Sequence, residues 1–161
     1  MAEPDDVVIE HPNREKAASK ATKAVVILLL LVSAALMVIV TIGGWSALEG
    51  AKIVQVAYII IYLLMAFYVA RWNRGVLPVA AALAIILLIF AAVATPEWFD
   101  RNKSGFAEPA INSDTLGLIT ALLVPVQVLL IAFAMRGFSQ AWNVEVERRP
   151  DGTRGATPQT A

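Results

Sequence analysis

Four stretches of this chain, at roughly 24–42, 53–70, 76–94 and 116–135, contain no Asp, Glu, Lys, Arg or His. A helix rises ~1.5 Å per residue, so ~20 apolar residues carry it across a ~30 Å hydrocarbon layer. Each stretch is about that long, and 58% of all residues are hydrophobic, against ~45–50% in soluble domains. The expected fold class is therefore all-α: a polytopic membrane protein with four transmembrane helices in two hairpins, and the lipid bilayer as its first partner. Residues 24–135 form the membrane domain in this reading. Residues 1–23 are a polar cytoplasmic tail and 136–161 a cytoplasmic juxtamembrane segment and tail. Both tails are weakly hydrophobic and interrupted by Pro or Gly, so disorder is expected over most of their length. The first apolar stretch follows about twenty polar residues and exceeds the ~7–15 residues of a signal-peptide core, so it reads as retained.

The connections are short where the hairpins demand it. Between the first two spans stands TIGGWSALEGAK (41–52). Gly43 and Gly44 suit a helix stop, and Ser46 with Glu49 has the spacing of a capping box for the next helix. Without this break the first two spans would form one apolar helix far longer than the bilayer is thick. The second connection, RWNRG (71–75), carries Arg71 and Arg74. The third, 95–115, is the long one. Thr95, Pro96 and Glu97 read as the start of a separate short interfacial helix through Trp98 and Phe99, Gly105 and Pro109 mark irregular chain, and Asn112, Ser113 and Asp114 start the last span.

Lys and Arg near the span ends set orientation. One side collects Arg14, Lys16, Lys20, Lys23, Arg71, Arg74, Arg136, Arg148, Arg149 and Arg154, and the other has Lys52, Arg101 and Lys103. Both termini are expected in the cytoplasm, with the protein in the cytoplasmic membrane. Trp45, Trp72, Trp98 and Trp142 all fall near a span end, where amphipathic rings anchor at headgroup level. After the last span, Phe138, Ala141 and Trp142 share one helical face, and Arg136, Arg148 and Arg149 suit anionic headgroups. Val144 to Glu147 fits either a frayed helix or a short extended strand.

Ionisable groups within a bilayer mark function because they are costly there, and these spans hold none. The chain has no Cys and one His, His11, in the polar leader. Thiolate metal sites, disulfides, axial His ligation of haem within the bundle and a carboxylate–imidazole proton relay are thereby excluded. No cofactor is expected. Acidic and basic residues balance at 13 each, so no field favours nucleic acid. Phosphate loops, nucleophile elbows and zinc-protease motifs do not occur, and the acidic residues Glu97, Asp100, Glu108 and Asp114 of the long loop do not have calcium-loop spacing.

What remains is a sparse polar set within the spans. Gln55, Tyr58 and Tyr62 lie at i, i+3 and i+7 on one face of the second span. Gln127 follows Pro125 in the fourth, and that proline predicts a kink near Ala121. Gln127 and Tyr62 fall at similar depth, so they are placed to meet across an interface as interhelical hydrogen-bonding groups, or else to line a polar cavity touching a lipid or quinone headgroup. Gly117 with Ala121, and Ala80 with Ala84, repeat at the spacing that permits close helix approach. The leading functional expectation is a non-catalytic accessory or scaffolding subunit associated with other membrane subunits. The alternative is a homo-oligomeric transporter or channel for a neutral or lipid-like solute, and an enzyme using the long loop stands third.

Overall fold

The computed structural model describes residues 8–148. Its elements in order are β1 (Val8–Glu10), α1 (Pro12–Glu15), α2 (Ala17–Gly43), α3 (Lys52–Ala70), α4 (Val76–Asp100), α5 (Ser113–Ser139) and β2 (Val146–Arg148). α2 to α5 are each long and apolar enough to cross a membrane. They leave large apolar side chains such as Leu28, Ile60, Ile89 and Leu122 exposed. Exposed aliphatic faces on every long helix are compatible with an integral membrane protein and unlike a soluble bundle.

α4 packs most extensively on α5, α2 packs on both α3 and α5, and α3 meets α4 only slightly. Around the bundle the order is thus α3, α2, α5, α4, and every closely packed pair is antiparallel. Small residues allow the tightest of these contacts: Ala80, Ala84 and Ala91 on α4 and Gly117 and Ala134 on α5 are all buried. The main core runs through Val26, Leu30, Met37, Tyr62, Leu77 and Leu130, and a smaller one joins Val40, Leu48, Trp98 and Leu116.

One end of the bundle carries the start of α2, the α3–α4 turn and the exit of α5; we call it the clasp end. The opposite, loop end carries the α2–α3 turn and the α4–α5 loop. At the clasp end, the leader expected to be disordered over 1–23 is folded from Val8 onward. β1 pairs antiparallel with β2, Val8 opposite Arg148 and Glu10 opposite Val146, and the Glu10 carboxylate meets the Arg148 guanidinium at 3.4 Å. Polar composition did not prevent order here because the leader has a partner strand and bundle carbonyls to bond. The remainder of the expected disorder, over 1–7 and 149–161, and the headgroup role for Arg149 lie outside the described residues.

Three local expectations change. α2 begins at Ala17 because Ala, Ser and Lys continue a helix beyond the apolar layer; its 27 residues make it ~40 Å long. The Ser46–Glu49 capping box does not form: α3 starts at Lys52 with no side-chain cap, and the Ser46 hydroxyl donates instead to Glu108 O at 3.2 Å. No separate interfacial helix starts at Thr95. α4 runs on through Pro96 to Asp100, and the Thr95 hydroxyl turns back to donate to Ala91 O at 2.7 Å. α5 likewise continues through Pro125, whose ring leaves the Ala121 carbonyl without its usual donor. The start of α5 does follow its cap residues, with Asp114 N–H donating to Asn112 Oδ1 at 2.8 Å.

Candidate functional site

Gln127 sits in the middle of α5 and is fully buried, as are Tyr62 and Ser33. The Tyr62 hydroxyl donates to Gln127 Oε1 at 2.9 Å, and Gln127 Nε2 donates to Ser33 Oγ at 2.8 Å. Ser33 Oγ in turn donates to Leu29 O within its own helix. One amide thus joins α3, α5 and α2. The sequence reading paired Gln127 with Tyr62 but passed over Ser33, although it is the one polar residue between Ala24 and Val40 and lies at mid-span. Sealed from water, each of these hydrogen bonds removes an otherwise unmet polar group.

The other two members of the predicted cluster face elsewhere. Tyr58 stacks edge-on against Tyr62, ring centroids 5.9 Å apart, but its hydroxyl has no hydrogen-bond partner among the described residues. Gln55 Oε1 accepts from the Thr41 hydroxyl, which also lies within bonding distance of Met37 O. A single hydroxyl proton serves one of those acceptors at a time, so Gln55 keeps bonding capacity to spare, including its whole NH2 group. Both residues line a cleft of about 480 Å³ in the loop-end half of the bundle, between α3 and α4. Met37, Leu87 and Leu123 form its apolar wall, Val54 and Phe90 its flanks, and Glu49, Glu97 and Arg101 its rim. The cleft exists because α3 and α4 are neighbours that scarcely touch, which no residue pattern along the chain announces.

The loop end beside it is closed by aromatic carbon. A Cβ on Gly44 would come within 2.6 Å of the Trp98 ring, and one on Gly43 within 2.5 Å of Ile111. The two glycines that read as a helix stop are therefore also the floor on which the α4 tryptophan and the long loop rest. Ile111 N–H donates to Gly43 O at 3.1 Å. Arg101 lies over the Trp98 ring at 5.5 Å, adding a cation–π contact.

At the clasp end, side chains of the leader and of the α3–α4 turn bond carbonyls at and just past the end of α5. Arg14 Nε donates to Trp142 O at 2.8 Å, Asn13 Nδ2 to Ala141 O at 3.0 Å, and Arg74 Nε to Phe138 O at 2.8 Å. Phe138 O belongs to the last turn of α5, Ala141 O and Trp142 O follow its end at Ser139, and positive charge is favourable beside a helix C-terminus. Helix α5 stops at Ser139, the chain reverses at Ala141 with φ +49°, and Trp142 swings back into the bundle. Its ring meets Trp72 edge-on at 5.2 Å, while Lys23 lies over Trp72 at 4.0 Å.

The expected face of Phe138, Ala141 and Trp142 therefore does not exist. Of the four expected interface anchors, Trp142 and Trp98 are buried against protein and Trp72 is half-buried under Lys23. Trp45 remains 52% exposed, with Lys52 over its ring at 4.9 Å. Trp72 itself holds φ +62° and closes α3 with the paired bonds Trp72 N–H to Val69 O and Asn73 N–H to Tyr68 O. Glycine is the usual residue for that closure; here ring packing from both sides offsets the steric cost.

Among the described residues, no three His, Cys, Asp or Glu side chains converge as a metal site would require. No protein-family profile, curated protein or solved structure matches the chain.

Proposed function

We propose that this protein is a non-catalytic accessory or scaffolding subunit of a larger complex in the cytoplasmic membrane, with both termini in the cytoplasm. The observation that carries the reading is the engagement of Gln127 with Tyr62 and Ser33. A fully buried amide at mid-span ties three helices together, which suits a rigid structural element. Orientation is supported by Arg14, Lys16, Lys20, Lys23, Arg71, Arg74, Arg136 and Arg148 at the clasp end, against Lys52, Arg101 and Lys103 at the loop end. Reporter fusions at Gly105 test it, and a cytoplasmic signal there overturns it.

Tagged purification from native membranes, with the intact particle weighed and its components identified, tests the subunit role. A stoichiometric second protein is the expected outcome. A particle made of this chain alone counts against it and favours the alternative, a homo-oligomeric pathway for a neutral or lipid-like solute. The opening between α3 and α4 is what speaks for that alternative.

A further inference from the structure

We propose that the cleft between α3 and α4 binds one zwitterionic glycerophospholipid, admitted sideways from the leaflet at the loop end. The inference needs the chain to lie in a bilayer and is independent of any subunit role. Three features ordered along the cleft carry it. Glu49, Glu97 and Arg101 stand at the rim, so charges of both signs meet whatever occupies the mouth. Gln55 and Tyr58 come next, ~5 and ~9 Å below the start of α3 at ~1.5 Å per residue. Met37 and Leu123 stand level with Tyr58, one helical turn from the Ser33–Gln127–Tyr62 tie, and Leu87 lies deeper. A phospholipid of this class has the same order: ammonium and phosphate, then ester carbonyl, then acyl chain.

Tyr58 is the second, independent indication of a ligand. Only 9% of it is exposed, yet its hydroxyl lacks a protein partner among the described residues, while no side-chain polar atom there is both sealed and unbonded. The hydroxyl is therefore reachable from the cleft. Buried in apolar surroundings, an unmet phenol is unfavourable until an acceptor arrives. An ester carbonyl supplies one, with the Gln55 amide N–H beside it. The cleft volume of about 480 Å³ takes the headgroup and ester region and leaves most of both acyl chains in the leaflet.

Other occupants match less of this surface. A neutral quinone leaves the rim charges unanswered, and an anionic lipid sets its phosphate near two carboxylates with one guanidinium to balance them. The mid-portion of a partner helix has no free carbonyl for Tyr58.

The full chain is prepared in detergent containing equal amounts of dioleoyl phosphatidylethanolamine and dioleoyl phosphatidylglycerol, and bound lipid is counted by native mass spectrometry. One phosphatidylethanolamine per chain is expected, retained in preference to phosphatidylglycerol. Tyr58→Phe keeps the ring contact with Tyr62 and should weaken retention about twofold to tenfold, the range for one hydrogen bond. Val54→Trp fills the cleft from an exposed flank and should abolish it. Ile60→Trp, on the lipid-facing side of α3, should bind as wild type and serves as the folded control. Equal retention of both lipids, unchanged binding in Tyr58→Phe or in folded Val54→Trp, or displacement of the lipid by equimolar ubiquinone each overturns the proposal.

Discussion

At the clasp end, carbonyls in the last turn of α5 and in the chain just past it are taken by Arg74, Asn13 and Arg14, whereas at the loop end the last turn of α2 is covered by carbon, with Trp98 and Ile111 resting on Gly44 and Gly43. The first end is drawn together by hydrogen bonds from segments far apart in the chain. The second leaves α3 and α4 separated by a cleft of about 480 Å³. The two ends differ in what each one holds. The clasp end holds the chain itself, and the loop end keeps room and unmet polar groups for something else.

The largest effect is expected from Trp142→Ala, which removes a fully buried ring from the clasp end. Large-to-small changes of this kind cost ~3–5 kcal/mol, readable as a lowered midpoint of denaturant unfolding in detergent. A loss below ~1 kcal/mol would mean that the clasp end is not the better-packed end. Gly44→Ala probes the loop end. Its added methyl meets the Trp98 ring, and overpacking there should cost ~1–3 kcal/mol with increased exposure of Trp98 to aqueous quenchers; unchanged fluorescence would remove the glycine–tryptophan contact from the account.

Gln127→Leu, midway between the ends, leaves Tyr62 and Ser33 without their shared partner. The expected loss is ~0.6–2 kcal/mol, with helical circular dichroism unchanged. A larger collapse would make Gln127 a keystone of the fold and not one tie among several. The smallest effect belongs to Phe90→Ala on the flank of the cleft, where half of the side chain is exposed. A change within ~0.5 kcal/mol is expected; a cost comparable to Trp142→Ala would show that the cleft is closed in the membrane.

The four helices were evident from the sequence because charge-free runs report the hydrocarbon layer directly. Their ends were not. Hydropathy marks where lipid begins, and α2 continues past that point through Ala17–Lys23, where Ser19 and Thr22 are buried and Gln140 Nε2 donates to Thr22 Oγ1. Prolines misled in the same way: Pro96 resembled a helix start, but the flanking turns of α4 are held by packing on α5 and carry the helix through it. Gln127 opposite Tyr62 followed from depth counting. The same count would have found Ser33, had hydroxyls been weighed alongside amides and phenols.

Trp142 was beyond such reasoning. Its burial depends on a reversal at Ala141, a positive φ in a residue with no sequence signature for one, and on Asn13 and Arg14 of α1, which bond the reversed chain. The cleft was equally out of reach, since it results from the order of helices around the bundle, and nothing along the sequence states that α3 and α4 will stand beside each other without closing.

The pairing of β1 with β2 also imposes a schedule. His11 bonds to Glu145 across 134 positions, and Val8 faces Arg148, so the partners for the leader emerge only after every membrane helix has been synthesised. During translation the leader must wait, with Arg14 and Asn13 unoccupied, while α2 to α5 enter the bilayer in turn. Closure of this latch can only follow synthesis of α2 to α5.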